Sequence, residues 1–516
     1  MISDKFILWC AFLAGLSVMA IELAAARLLA PYFGTSIFVW TNLIAVVLTG
    51  LSAGYYFGGK LADQSPKVAT LSIIMAIAGI LFTVVPWIAK PLAYFLDQIT
   101  TRGGTTGIIM GSLAASIILF GAPMAFLGAV SPLIIKIRTL GNAKIGEVAG
   151  SIFAISTVGS IIGTFLPALW LIPTIGTRLT ISIFAIALLG TGLLGLGLRS
   201  TVIVIIGIAA VGSVAMNAVP IKTTVGAIYE DESSYQYIQI IDRQAGAVRQ
   251  MRFDGGAGSQ SVAVYTHARG SAGVGAKDQI LTSAYFDYYN LLPAARDGKD
   301  KNILLIGVAG GTIIKQLEHF WGTRIATDAV ELDPRVIVLA QEYFNLKTKN
   351  SIHTADGRMF LRRNEKAYDI IIVDAYSREY HIPWTLATKE FWELARSRLT
   401  PNGVLSMNMA VFEESPEKSK ILEAITNTLA ASFPYLYRAE VTAHRSGGNY
   451  MIMGANEEID FNALESRLRD QALQSLIPTL TRAERINYNP HGIVLTDDRA
   501  PVEQITKAVP PNLGEL

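Results

Sequence analysis

The chain has 516 residues, 51% of them hydrophobic and 16% charged, with a mean hydropathy of +0.40 and a net charge of +2. That is too apolar for an ordinary soluble enzyme of this length, and too nearly neutral for a nucleic-acid binder. Cys10 is the single cysteine, which excludes an internal disulfide and any cysteine-based metal site within one chain.

The apolar excess lies before Pro220. A membrane span needs roughly 20 apolar residues, and about seven segments qualify: 6–30, 37–57, 70–89, 107–129, 148–171, 177–198 and 201–219. The first is too long for a cleavable signal and reads as a retained helix. Gly50, Gly54 and Gly58 recur at a helical spacing, as do Gly159 and Gly163; small residues so placed let helices approach closely. Glu22 and Arg27 fall within or near the end of the first segment. Ionisable groups there are costly and often functional, and five residues apart they do not form a simple helical pair. Glu22 reads either as a substrate or ion group or as half of a structural pair with another helix. If all seven segments cross, Lys5, Lys60, Lys67, Lys136, Arg138, Lys144 and Arg199 share one side, which should be cytoplasmic. An odd number of crossings then puts the second half outside, where adenosine cofactors are scarce. The chemistry favours a cytosolic second half on a plasma (inner) membrane, against the charge count.

From about residue 225 the composition is that of a globular protein. Residues 225–265 read as a small β region, with Tyr235–Ile241 partly alternating and a turn at Asp254-Gly255-Gly256. A doubly wound α/β pattern follows from about 300 to 460. Four apolar runs each end in polar or glycine residues: Ile303–Ile306 at Gly307, Ala329-Val330 at Glu331, Ile352-His353 before Asp356-Gly357, and Ile370–Val373 at Asp374. Buried parallel strands read as continuous apolar runs, and ligands bind beyond their carboxyl ends. Gly307, Gly310 and Gly311 permit a tight turn and close approach of a ligand to backbone N–H groups. Their spacing fits neither a P-loop nor a dinucleotide fingerprint. Glu331, about 20 residues on, is placed to accept ribose hydroxyls; Asp356 and Gly357 are placed for an adenine edge. Asp374 falls at the reaction centre. Asp356 also reads as an ordinary Asp-Gly turn and Asp374 as a helix cap. His353 reads as strand packing and His381 as loop chemistry.

The series GVAGGT, VELDPRVIVLAQEYF, HTADGRMFL, YDIIIVDAYS and LTPNGVLSMN resembles the spermidine synthase (polyamine aminopropyltransferase) family. So do Ser233–Gln236 and Phe253–Gly255 in the β region, and Tyr285-Phe286-Asp287 before the first α/β strand. With its apolar half, the chain is similar to the membrane-bound branch, in which a transporter-like part is fused to a spermidine-synthase-like part. The loop Gly58–Asp63 faintly resembles one from major-facilitator transporters. The resemblance implies a multi-span α-helical membrane domain (1–220), a small β region (221–298) and a Rossmann-like S-adenosylmethionine-dependent transferase domain (299–516). It implies decarboxylated S-adenosylmethionine as co-substrate, an amine or polyamine acceptor, a lipid bilayer around the first half and possible homo-oligomers, with no metal and no nucleic acid. Glu331 would hold the ribose, Asp356 and Gly357 the adenine end. Gln236, Tyr285 and Asp374 would line the reactive centre, with Asp287 and Tyr376 beside the acceptor and Asp374 taking the amine's proton.

Two departures remove negative charge. The family's glycine loop carries an aspartate where this chain has Ala309, and its second aspartate after Asp374 is Ser377, followed by Arg378. Asp497, Asp498 and Glu503, around Pro501, either restore that charge by closing over the pocket or cap a helix. Two alternatives stay open: an S-adenosylmethionine-dependent methyltransferase on a membrane-associated substrate, and a nucleoside- or polyamine-binding transporter or sensor without turnover.

Overall fold

The computed structural model describes residues 4–100, 104–140, 144–217, 219–256, 258–265, 278–296, 301–376, 382–411, 419–444 and 447–506. The chain divides into two compact units: Met1–Thr223 with Glu230–Tyr237, and Thr224–Tyr229 with Ile238–Leu516.

The first unit is helical. Its elements are α1 (Asp4–Phe33), α2 (Ile37–Gln64), α3 (Val68–Thr100), α4 (Gly104–Ser116), α5 (Ala122–Gly128), α6 (Val130–Thr139), α7 (Ile145–Leu166), α8 (Ile172–Gly195) and α9 (Arg199–Asn217). Among the described residues, five helical runs are long and apolar enough to cross a membrane: Asp4–Phe33, Ile37–Gln64, Val68–Leu96, Thr106–Thr139 and Ile145–Gly195. The last, 51 residues long, contains two of the expected segments; the backbone breaks at Gly176 (φ 80°, ψ 168°), a conformation open to glycine. Thr201–Met216 is a shorter apolar helix. Short π turns at Ile117–Gly121 and Pro167–Leu171 interrupt the fourth and fifth runs.

The glycine spacings are packing devices. A Cβ at Gly54 would stand 2.1 Å from the Ala125 carbonyl, and one at Gly159 2.2 Å from the Phe12 carbonyl. Thus α2 lies directly on α5, and α7 on α1. Salt bridges Lys136–Asp63 (2.7 Å) and Arg138–Asp4 (3.7 Å) gather the start of α1 and the ends of α2 and α6 at one end of the bundle. At the other end the Tyr32 hydroxyl donates to the Ile221 carbonyl (2.8 Å), Lys222 to Pro31 (2.9 Å) and Arg178 to Val219 (2.6 Å). The chain therefore leaves the bundle opposite its more basic end.

The remainder holds two sheets. The smaller runs β1 (Ala227–Glu232), β2 (Tyr237–Arg243), β3 (Val248–Phe253), β4 (Ser261–Tyr265) and β5 (Asp278–Gln279) in sequence order, antiparallel from β2 onward. The larger contains β6 (Lys301–Ile306), β7 (Ile325–Glu331), β8 (Ser351–Thr354), β9 (Tyr368–Val373), β10 (Leu399–Val411), β11 (Tyr435–His444), β12 (Gly447–Ala455) and β13 (Glu484–Arg485). Its order is β13-β11-β12-β10-β9-β6-β7-β8, parallel from β10 through β8 and antiparallel beyond. The buried parallel strands carry Ile303, Leu304, Leu305, Ile371 and Ile372 at 0% exposure, which accounts for their unbroken apolar runs. Helices α10 (Thr312–Trp321), α11 (Pro334–Phe344), α12 (Gly357–Arg363), α13 (Lys389–Ser397) and α14 (Lys420–Ser432) follow in the α/β crossovers and beyond. The β2–β4 residues Ile238, Ile240, Met251 and Phe253 pack on Val336, Leu339 and Phe344 of α11. In chain order, a set of long apolar helices is followed by a small antiparallel sheet and an α/β Rossmann-like fold.

Candidate active site at the strand tips

The tip of β6 turns at Gly307 with φ +96°, and a Cβ there would meet the Asp374 carbonyl at 2.2 Å. The glycine loop thus lies against the end of β9. The Asp374 N–H donates to the Ile306 carbonyl (2.8 Å), and the Gly307 N–H to Val330 (2.8 Å). Three strand tips are stitched together by backbone bonds. Gly311 (φ +80°) begins α10, and Cβ atoms at Gly310 and Gly311 would run into Phe344 and Leu346. Close protein packing, as well as ligand approach, explains these glycines.

Glu331 reaches under the same loop. One carboxylate oxygen accepts from the N–H groups of Val308 (3.0 Å) and Ala309 (3.1 Å), the other from Asp333 N–H (3.1 Å). The side chain is nearly buried, at 8% exposure. Burial raises its pKa above the usual carboxylate value, against the pull of the three N–H donors. A carboxylate offers about four lone-pair sites, so the second oxygen keeps capacity for one more donor.

Asp374 follows β9, with its backbone against the glycine loop. The Tyr285 hydroxyl is 3.2 Å from both of its oxygens. Burial pushes the Asp374 carboxyl up to about 7, against the opposing hydrogen bond from Tyr285. Burial and the adjacent carboxylate together hold the Tyr285 phenol well above its usual range, so it stays a donor. Tyr289, one helical turn on, is 0% exposed. The Tyr376 hydroxyl donates to the Asn408 carbonyl, and Asn449 donates to the Asn408 side chain (3.0 Å).

Other expected residues take different places. Asp356 caps α12, accepting from Met359 N–H (2.8 Å), and a Cβ at Gly357 would strike Ile306 at 2.4 Å. Both therefore sit beside the β6 tip. Asp287 is 2% exposed and accepts from Thr282, Ser283 and Gln316; it fixes the turn that presents Tyr285. Gln236 lies between β1 and β2, within the segment belonging to the helical unit, and its carbonyl accepts from Ser233. Asp497 forms a two-pronged pair with Arg358 of α12 (2.7 and 2.6 Å) and accepts from Thr388 (2.7 Å). Asp498 is exposed and Glu503 lies in the first turn of a short helix, Val502–Ile505. His353 stacks on Phe360 (4.9 Å). Ser377, Arg378 and His381 lie outside the described residues.

Tyr289 and Asn408 were not foreseen. Asn408 had a legible signal, a polar residue interrupting the apolar end of β10. Tyr289 had none, since only the 3-10 turn Tyr285–Ala294 reveals which of its tyrosines face the acid.

A glycine turn, a carboxylate under it and a second carboxylate at the neighbouring strand tip come together on this α/β fold. Residues 284–463 match the spermine/spermidine synthase domain, and the C-terminal half carries that domain, with polyamine aminopropyltransferases among its homologues. The chain is 28% identical to a probable polyamine aminopropyl transferase of Bifidobacterium longum, over 53% of this chain and 61% of that one. It is 29% identical to a polyamine aminopropyltransferase of Vibrio vulnificus, over 39% of this chain and 63% of that one. It thus spans about three-fifths of the length of these relatives. A probable spermidine synthase structure from Corynebacterium glutamicum aligns over 52% of this chain and 96% of its own, at 17% identity and a TM-score of 0.39.

Proposed function

We propose that this protein is a membrane-anchored aminopropyltransferase that moves the aminopropyl group of decarboxylated S-adenosylmethionine onto a small amine. The observation that carries the reading is Asp374. It is a carboxylate at a strand tip beside the glycine loop, held by a phenol and tuned to about 7. A general base works best with a pKa near the operating pH. An amine is a nucleophile only when neutral. The new C–N bond forms as the C–S bond breaks, the amine's proton passes to Asp374, and neutral methylthioadenosine leaves. The sulfonium supplies the leaving group. Glu331 keeps one acceptor position for a ribose hydroxyl, and Asp356 and Gly357 flank the adenine side.

A second reading, methyl transfer from intact S-adenosylmethionine, is favoured by Ala309, which puts no carboxylate on the loop to hold an aminopropyl ammonium. The full-length protein in detergent separates the two. Methylthioadenosine release with decarboxylated S-adenosylmethionine and an amine panel supports aminopropyl transfer. Preferential binding of S-adenosylhomocysteine over methylthioadenosine, with no such release, overturns it. Binding of the nucleosides without any turnover leaves the sensor reading.

We place this half on the cytosolic side, where its nucleoside substrate is made, against the count of basic residues in the first half. A cysteine at exposed Asp498 should resist a membrane-impermeant maleimide in intact cells and react once the cells are opened. Labelling in intact cells would reverse the assignment.

A further inference from the structure

The helical unit holds a carboxylate for which aminopropyl transfer has no use. Glu22 lies in the 30-residue helix α1, about 5 Å from its midpoint at ~1.5 Å rise per residue. It is half-buried. Among the described residues it forms no hydrogen bond or ion pair; Arg27 donates instead to the Ser234 carbonyl. A charge at the centre of an apolar helix costs roughly 2.5–3.5 kcal/mol on insertion scales, so a carboxylate left without a partner in the chain points to one from outside it.

Two further features lie at the same depth. Gly159 and Gly163 of α7 rest on Phe12 and Leu16 of α1. Continued along both helices, that register brings Glu22 level with the π turn Pro167–Leu171, which α1 contacts. On the other side, α1 and α2 are joined by a short turn at residues 34–36, so Gly50 of α2 lies at nearly the depth of Glu22. Gly50 rests on Gly121, the last residue of the π turn Ile117–Gly121. Such turns break the regular helical bonding pattern and are frequent at functional sites. Ser116, which precedes that turn, and Ser17 of α1 are both 0% exposed, with hydroxyls that meet no partner among the described residues. Buried polar groups are normally satisfied. One unpaired acid, two π turns and two unsatisfied hydroxyls at neighbouring depths make a candidate site rather than a packing accident.

We propose that Glu22 is the cation-binding carboxylate of a transport site in the helical unit, and that its ligand is an organic primary ammonium. An ammonium brings one positive charge and three N–H donors. That suits a single carboxylate in an apolar helix, with neutral hydroxyls and π-turn carbonyls at neighbouring depths. The proposal stands apart from the transferase reading, because it uses no residue of that site.

The test uses the full-length protein in vesicles of phosphatidylethanolamine and phosphatidylglycerol, with 1,4-diaminobutane as probe. Dicyclohexylcarbodiimide, which reacts with carboxyls in apolar surroundings, should label Glu22 by mass spectrometry. Millimolar 1,4-diaminobutane should protect it, and sodium chloride of equal ionic strength should not. Uptake of radiolabelled 1,4-diaminobutane should fall at least tenfold in Glu22→Gln and recover in part in Glu22→Asp. Methylthioadenosine binding by Glu22→Gln within twofold of the parent protein shows that the chain is folded. Protection by sodium or by high pH alone would replace the ammonium with a sodium ion or a proton. Absence of uptake by the parent protein, or equal uptake by Glu22→Gln, would overturn the proposal.

Discussion

The Tyr285 hydroxyl stands at the same 3.2 Å from both oxygens of Asp374, so one phenol steadies the whole carboxylate. Asp287 fixes the turn that places this phenol, through donors from Thr282, Ser283 and Gln316. The hydrogen bond favours the charged carboxylate and partly offsets the burial that raises its pKa. Tyr285→Phe removes that offset. The acidic limb of the pH–rate profile should move to higher pH, and kcat/KM at pH 7 should fall about 10- to 100-fold, a typical range for disturbing a general base. An unchanged limb with a uniform fall would make Tyr285 a packing residue only.

Asp374 should cost the fold stability at high pH. Its folded pKa is about 7, against an ordinary 3.8. Between those values the folded state holds a proton that the unfolded chain has lost, so stability falls as pH rises through this window and stays low above it. Below pH 3.8 both states are protonated and the cost vanishes. Asp374→Asn keeps the shape and an acceptor for Tyr285. It should abolish turnover, leave methylthioadenosine affinity within a few fold, and stabilise the protein at pH 8 by on the order of 2 kcal/mol after allowance for solvent screening. That gain should fade towards pH 4. Thermal unfolding in detergent at both pH values checks the sign; a destabilised variant at pH 8 would contradict a buried, charged base.

Glu331 and Asp374 were legible as strand-tip acids because one ends β7 and the other directly follows β9, each after a run of buried apolar residues. The glycines were legible as a turn. What they touch was not, since Phe344, Leu346 and the Asp374 carbonyl come from distant parts of the chain. The donors that engage Asp287 and Asp497, Gln316 and Arg358, lie 29 and 139 residues away in sequence, so neither partner was legible. Gln236 was placed at the reactive centre by the family resemblance; its segment Glu230–Tyr237 belongs to the first unit. The Gly176 break falls between two of the apolar segments read from the sequence, 148–171 and 177–198.

Glu331 ties the loop and the ligand site together. Glu331→Gln replaces one acceptor oxygen with an NH2 group, which then faces backbone N–H donors. Losing a charge-assisted bond costs roughly 1.5–3 kcal/mol. Methylthioadenosine affinity should therefore drop about 10- to 100-fold by calorimetry, with the midpoint of thermal unfolding lowered as well. On the proposed role as a ribose-binding group, the rate at saturating nucleoside should change little. A variant with full nucleoside affinity would show that the carboxylate serves the loop alone.

The Asp497–Arg358 pair discriminates between two roles for the C-terminal acids. Arg358 is 13% exposed in its side chain and Asp497 40%. Its hydrogen bonds from Arg358, followed by that from Thr388, hold the Asp497 carboxyl below the usual range. A carboxylate so engaged is already neutralised by an arginine on α12, the helix that Asp356 caps, and has little field left for a distant amine. Asp497→Asn should lower stability by about 1 kcal/mol, the scale of a partly exposed pair, and leave the KM for diamines within about twofold. Were the acid instead to close over the reaction centre, the KM for diamines would rise selectively while that for monoamines held, and steady-state kinetics with 1,4-diaminobutane and butylamine side by side would show it. High salt offers an independent check: it should weaken an exposed Asp497 bridge and reproduce the loss of stability in the parent protein, but not in the variant.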